Sequence, residues 1–165
     1  MLERAALWLS APSDAWPLPG GPAGGRVRLL LDADSRELVG HAALYPRGWW
    51  PWRRGRRFAA FEAPDASLVF TGRAAGWPEW TTTVTDADGH PVALVRGAYV
   101  LTPGGEFLAY RQPRAGGRGG AFLGPDGRAI AHWEAEGVGT QVRFGPELQD
   151  DPFTKMGILA AVIAA

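Results

Sequence analysis

The sequence predicts a mainly β fold, a closed antiparallel barrel of about twelve strands around a buried hydrophobic C-terminal helix. Three observations predict it. From Met156 to Ala165 no side chain is polar, and a helix apolar on every face must be enclosed on every side. Ahead of it, short apolar segments are separated again and again by turns centred on aspartate, as hairpins require. The alternation of valine and phenylalanine with Gln141 and Arg143 through 138–144 has the period of a half-buried strand.

In chain order, strands are expected near 5–10, 26–31, 38–44, 57–62, 67–73, 79–85, 91–96, 98–102, 106–111, 119–123, 128–134 and 138–144. Asp32 and Asp34 mark the turn between the second and third, and Pro64-Asp65 that between the fourth and fifth. Asp88-Gly89 and Asp126-Gly127 supply the positive φ angles of tight hairpins further on, and Thr102-Pro103-Gly104-Gly105 supplies another turn. Glu136-Gly137-Val138-Gly139 closes the last pair. The helix, about 152–165, begins with Asp151 as cap and Pro152 at the first position, where a missing N–H costs nothing. Its burial is expected to include Phe153, Met156, Ile158, Leu159, Val162 and Ile163. The terminal carboxylate of Ala165 falls at the negative end of the helix dipole, so it should reach solvent at a barrel mouth or meet an arginine. Closure also removes exposed sheet edges.

Residues 1–165 read as one domain. Seventeen basic residues balance seventeen acidic ones, so an electrostatic partner has to be met by a local patch. Without cysteine there is no disulfide, thiolate metal site or cysteine nucleophile. Glu3 stands where a signal peptide needs positive charge, which reads as a cytoplasmic protein, peripheral at most at the membrane. The terminal apolar stretch is shorter than the roughly 20 residues of a bilayer span, so no transmembrane span is expected.

The serial turns at Thr85–Ala93 and Gly124–Ala131, ending in the segment Asp151–Ala160, resemble the tubby C-terminal-like superfamily, which includes phospholipid scramblases and LURP-one-related proteins. The resemblance covers about residues 5–165 and implies a twelve-stranded barrel threaded by a hydrophobic helix. It also implies contact with membrane lipid, since tubby-like domains bind phosphoinositides and scramblases are linked to calcium-dependent lipid movement. The chain departs from the scramblase pattern in having no cysteine to palmitoylate and no helix long enough to span.

One segment stands out chemically. Arg47, Trp49, Trp50, Trp52, Arg53, Arg54, Arg56 and Arg57 lie within eleven residues that contain no acid. Indoles favour the headgroup boundary and guanidinium groups pair with phosphates, so these residues are the candidate lipid-binding set. The same composition could stack on single-stranded nucleic acid, the weaker alternative, or pack on the barrel by cation–π contact. His41, His90 and His132 sit in different hairpins, and the pairs Asp32/Asp34 and Asp86/Asp88 read as turn formers whose pKa values are little tuned. Asp86 and Asp88 with Asp126 form at most a weak calcium site, so no metal and no cofactor is assigned. No serine lies in a nucleophile elbow, and Gly116–Gly120 lacks the lysine of a phosphate loop. The expectation is a non-enzymatic barrel that binds a membrane surface or anionic phospholipid through residues 47–57. The alternative is a structural or protein–protein interaction module without lipid binding.

Overall fold

The computed structural model describes residues 1–14, 25–45, 57–75 and 81–164. Among them are twelve strands: β1 Ala6–Leu9, β2 Arg26–Asp32, β3 Leu38–Tyr45, β4 Arg57–Glu62, β5 Ser67–Ala75 and β6 Thr81–Asp86, followed by β7 Pro91–Arg96, β8 Tyr99–Leu101, β9 Phe107–Pro113, β10 Gly119–Leu123, β11 Ala129–Glu136 and β12 Gly139–Phe144. Each pairs antiparallel with its neighbours in sequence, and β1 closes the ring against β12, with Ala6 opposite Arg143 and Leu9 opposite Thr140. A 3-10 turn, Pro146–Leu148, then feeds α1, Pro152–Ile163.

Alternation decides which side chains face the lumen. Phe58, Gly72 and Val84 stand opposite one another across β4, β5 and β6, and Phe58 and Val84 are buried. Arg111, Phe122, Ala131 and Phe144 form another inward row, with Phe122 and Ala131 fully buried. The helix fills this lumen from end to end: every residue from Thr154 to Ile163 is buried. At about 1.5 Å per residue it is roughly 18 Å long, close to the height of a wall built from strands of six or so residues.

The helix start is as expected. Asp151 accepts a hydrogen bond from the Thr154 N–H at 2.9 Å, and Pro152 follows it. Phe153 is a correction: at 50% exposure it lies outside the lumen, because the first turn sits at the mouth where the 3-10 turn delivers the chain. Val138, expected on the inner face of the last strand, is 76% exposed because β12 begins at Gly139 and leaves it in the turn. Two polar residues of the helix are buried instead. Thr154 is one; Lys155, 3% exposed, donates to the Leu2 carbonyl at 2.7 Å and the Gln149 carbonyl at 3.4 Å, with Phe144 beneath it at 5.5 Å. At the other end of the helix the Arg28 guanidinium donates to the Val162 carbonyl at 3.0 Å, a cation at the negative end of the dipole. Ala165 itself falls outside the described residues.

The aspartate turns form as predicted and explain their own chemistry. Asp32 accepts from the N–H groups of Ser35 and Asp34, Asp65 from Ser67, Asp86 from His90 and Asp88, and Asp126 from Arg128. The expectation of untuned carboxylates is corrected for Asp32, and Asp65, outside that expectation, is tuned in the same way. The Ser35 N–H holds the Asp32 carboxyl below its ordinary pKa, and the Ser67 N–H does the same to Asp65.

Gly157 faces β7 and β8, where an added Cβ would sit 2.5 Å from Val100 Cγ1 and 3.2 Å from Ala93 Cβ. Elsewhere Gly→Ala inside a helix gains about 1 kcal/mol. Here the β-branched Val100 cannot turn aside freely, and crowding costs about 1–3 kcal/mol. Gly157→Ala is expected to lower stability by about 1 kcal/mol in urea titration; a gain would show that the helix does not press on β8.

The lowered carboxyls set a pH dependence. A group whose folded pKa is depressed stabilises fully above its unfolded pKa of about 3.9, and that contribution disappears as pH falls through the folded value. Asp32→Asn with Asp65→Asn should therefore flatten the fall of melting temperature below about pH 4. An unchanged acid limb would mean that the turn hydrogen bonds do not favour the ionised forms.

Candidate anionic-surface site

In an up-and-down ring, alternate connections lie at opposite ends. One end, where α1 enters, carries the turns 33–37, 63–66, 87–90, 102–106 and 124–128. The other, where α1 ends beside Arg28, carries the strand ends Leu9 and Arg26, Tyr45 and Arg57, Ala75 and Thr81, and the connections 97–98, 114–118 and 137–138.

Charge divides between these ends although the chain as a whole is neutral. The entry end holds Asp34, Glu37, Asp65, Asp88, Glu106 and Asp126 in its turns and Glu147, Asp150 and Asp151 at the helix approach. Three of its arginines are matched: Arg4 lies 3.5 Å from Asp32, Arg128 lies 3.5 Å from Asp126, and Arg36 reaches across the Trp8 ring to Glu136 at 3.2 Å. The exit end holds Arg26, Arg28, Arg57, Arg73, Arg96, Arg111, Arg114 and Arg118, against Asp14, Glu134 and Glu136 among the described residues.

Several of the exit-end arginines are poorly neutralised among the described residues. Arg26 pairs with Asp14 at 3.1 Å, both exposed. Arg57, Arg73, Arg111, Arg114 and Arg118 have no carboxylate partner among the described residues. Arg57 and Arg73 are directly opposite in the β4–β5 ladder, next to Tyr45 on β3, and all three point outward because Phe58 and Gly72 point inward. Like charges at such a position destabilise a sheet. Arg111 instead turns inward at the rim, its guanidinium 4.3 Å above the Trp133 ring, and burial pulls its pKa below the ordinary arginine value. The buried Trp133 Nε1 and Arg28 Nε have no hydrogen-bond partner among the described residues.

Of the candidate lipid-binding set, Arg57 alone is described, exposed at the first position of β4. Arg47, Trp49, Trp50, Trp52, Arg53, Arg54 and Arg56 lie outside the described residues. Sequence reasoning did not single out Arg73, Arg114 or Arg118, since each is an isolated arginine in sequence. The signal that finds them is the strand register, which places them at the same end as Arg57.

The fold leaves the histidines in separate places. His41 stacks on Phe61 at 4.9 Å, burial lowering its pKa, while His132 lies on β11. Asp86 and Asp88 are joined by His90 rather than Asp126, with ligand atoms within 4.8 Å of one another. That cluster belongs to the hairpin tip, where the Asp86 carboxylate already accepts two backbone N–H groups. No described helix is long and apolar enough to cross a membrane. No protein-family model, curated protein or solved structure matches the chain.

The Arg57–Arg73 pair makes a stability prediction. Arg73→Glu converts a repulsive cross-strand pair into an attractive one and should stabilise the barrel by about 0.5 kcal/mol in urea titration. Lower stability would mean that Arg73 already has a favourable partner.

Proposed function

We propose that this chain is a non-enzymatic barrel domain, related to the tubby C-terminal-like superfamily, that binds anionic phospholipid at a membrane surface through residues 47–57 together with Arg73. The observation that carries the reading is the Arg57–Arg73 pair, without a carboxylate partner among the described residues, at the strand end from which the Trp/Arg-rich segment departs. Two guanidinium groups held opposite each other repel until an anion lies between them, and phosphate accepts from both. Tyrosine suits the headgroup boundary, and Tyr45, beside Arg57 in the ladder, is 37% exposed; the three tryptophans of the 47–57 sequence have the same chemical preference. This division of labour needs no cofactor and no metal: the barrel supplies rigidity and the arginines supply the field.

A second reading, an interaction module without lipid binding, is favoured by one feature. Tyr99, Phe107 and Tyr110 form an aromatic cluster on the outer face of β8 and β9, with ring centroids 6.4 and 5.2 Å from Tyr99 and with Tyr99 49% exposed. Aromatic surface of this kind is enriched in protein interfaces.

Co-sedimentation with phosphatidylcholine vesicles, with and without phosphatidylserine, separates the two. The lipid reading expects binding only with phosphatidylserine, weakening as salt is raised. Changing Arg53, Arg54, Arg56 and Arg57 to Ser should remove about 1 kcal/mol of binding per charge without unfolding the barrel. No sedimentation at any salt concentration, or full binding by the four-Ser variant, would favour the interaction module.

A further inference from the structure

Arginines at the exit end are not gathered on one side of the barrel. In the ring order the β4–β5 pair, with Arg57 and Arg73, lies across the barrel from the β9–β10 pair, whose connection holds Arg114 and Arg118. Both of the latter are exposed and without a carboxylate partner among the described residues. Their connection is pinned by backbone bonds, Arg114 N–H to Gly119 O at 2.7 Å, Gly117 N–H to Arg114 O at 2.9 Å and Ala135 N–H to Arg118 O at 2.7 Å. The backbone carrying Arg114 and Arg118 is thus held at the mouth, and with Arg57 and Arg73 across the ring these four exposed arginines form a crown around it.

We propose that the barrel docks end-on, with its axis along the membrane normal and the whole arginine crown, including Arg114 and Arg118, against the anionic headgroups. The proposal rests on the lipid reading above and adds the face and orientation. A contact through one wall of the barrel would leave half of the crown in water; a plane perpendicular to the axis meets all of it. A nucleic-acid strand is linear and favours a stripe of charge, whereas a ring matches a flat polyanion. Tyr45 and Tyr99, both at this rim, lie at headgroup depth in this pose. Exposed apolar residues occur at both ends, Leu38 and Phe107 towards the entry end, so charge is what selects the face.

The absence of cysteine allows single labels to test the pose. Ala75→Cys at the exit end of β5, Val138→Cys in the β11–β12 turn across the ring, and Ala129→Cys at the entry end of β11 each take an environment-sensitive fluorophore. On phosphatidylserine-containing vesicles with a headgroup quencher, end-on docking quenches Ala75→Cys and Val138→Cys and spares Ala129→Cys. Arg114→Gln with Arg118→Gln should weaken vesicle partition roughly 30-fold. Binding that quenches only Ala75→Cys, or that ignores the Arg114/Arg118 pair, overturns the end-on pose while leaving lipid binding intact. Quenching of Ala129→Cys overturns it too. No binding to these vesicles, or equal binding of a single-stranded oligonucleotide at the same salt, removes the pose and the lipid reading together.

Discussion

Everything in this protein depends on enclosing a helix that has no polar face. A helix such as Met156–Ile163 can be stable in water only if apolar surface surrounds it, and a closed sheet provides that with no edge left over. The enclosure dictates small residues where wall and helix come closest, which is why Gly157 faces Val100 and Ala93. It also dictates how the two polar ends of the helix are handled. Asp151 caps the first turn, Arg28 meets the last, and Lys155 escapes the lumen by reaching backbone carbonyls near the mouth.

The same architecture sorts charge. An up-and-down ring sends alternate connections to opposite ends, and at the entry end the turns are built on aspartate because its carboxylate satisfies backbone N–H groups within a tight bend. The acidity of that end thus has a folding cause. The basicity of the other has none that the described residues reveal: Arg57 opposes Arg73, and Arg114 and Arg118 pair with no carboxylate. Charge that weakens a ladder without repayment inside the fold is what an external anion would repay.

The aromatic cluster of Tyr99, Phe107 and Tyr110 is a different kind of surface, running along the wall from Tyr99 near the rim. Its exposure is compatible with either an end-bound domain that carries a protein partner or a domain with no membrane role. Both use the barrel as a rigid holder of side chains rather than as a catalyst.

The sequence by itself determined the class of object: strands from alternation, hairpins from Asp-Gly and Pro-Asp, and a core helix from an apolar run with a capped start. These are local signals, carried by neighbours in the chain, so they are legible without coordinates. It also drew attention to Arg57 through the density of arginine around it. It missed Arg73, Arg114 and Arg118, and misplaced Phe153 and Val138, because end, register and lumen depth are properties of the closed ring and not of any segment. Only the tertiary structure could place those arginines at one rim, since residues far apart in sequence share that rim only after β1 has closed against β12.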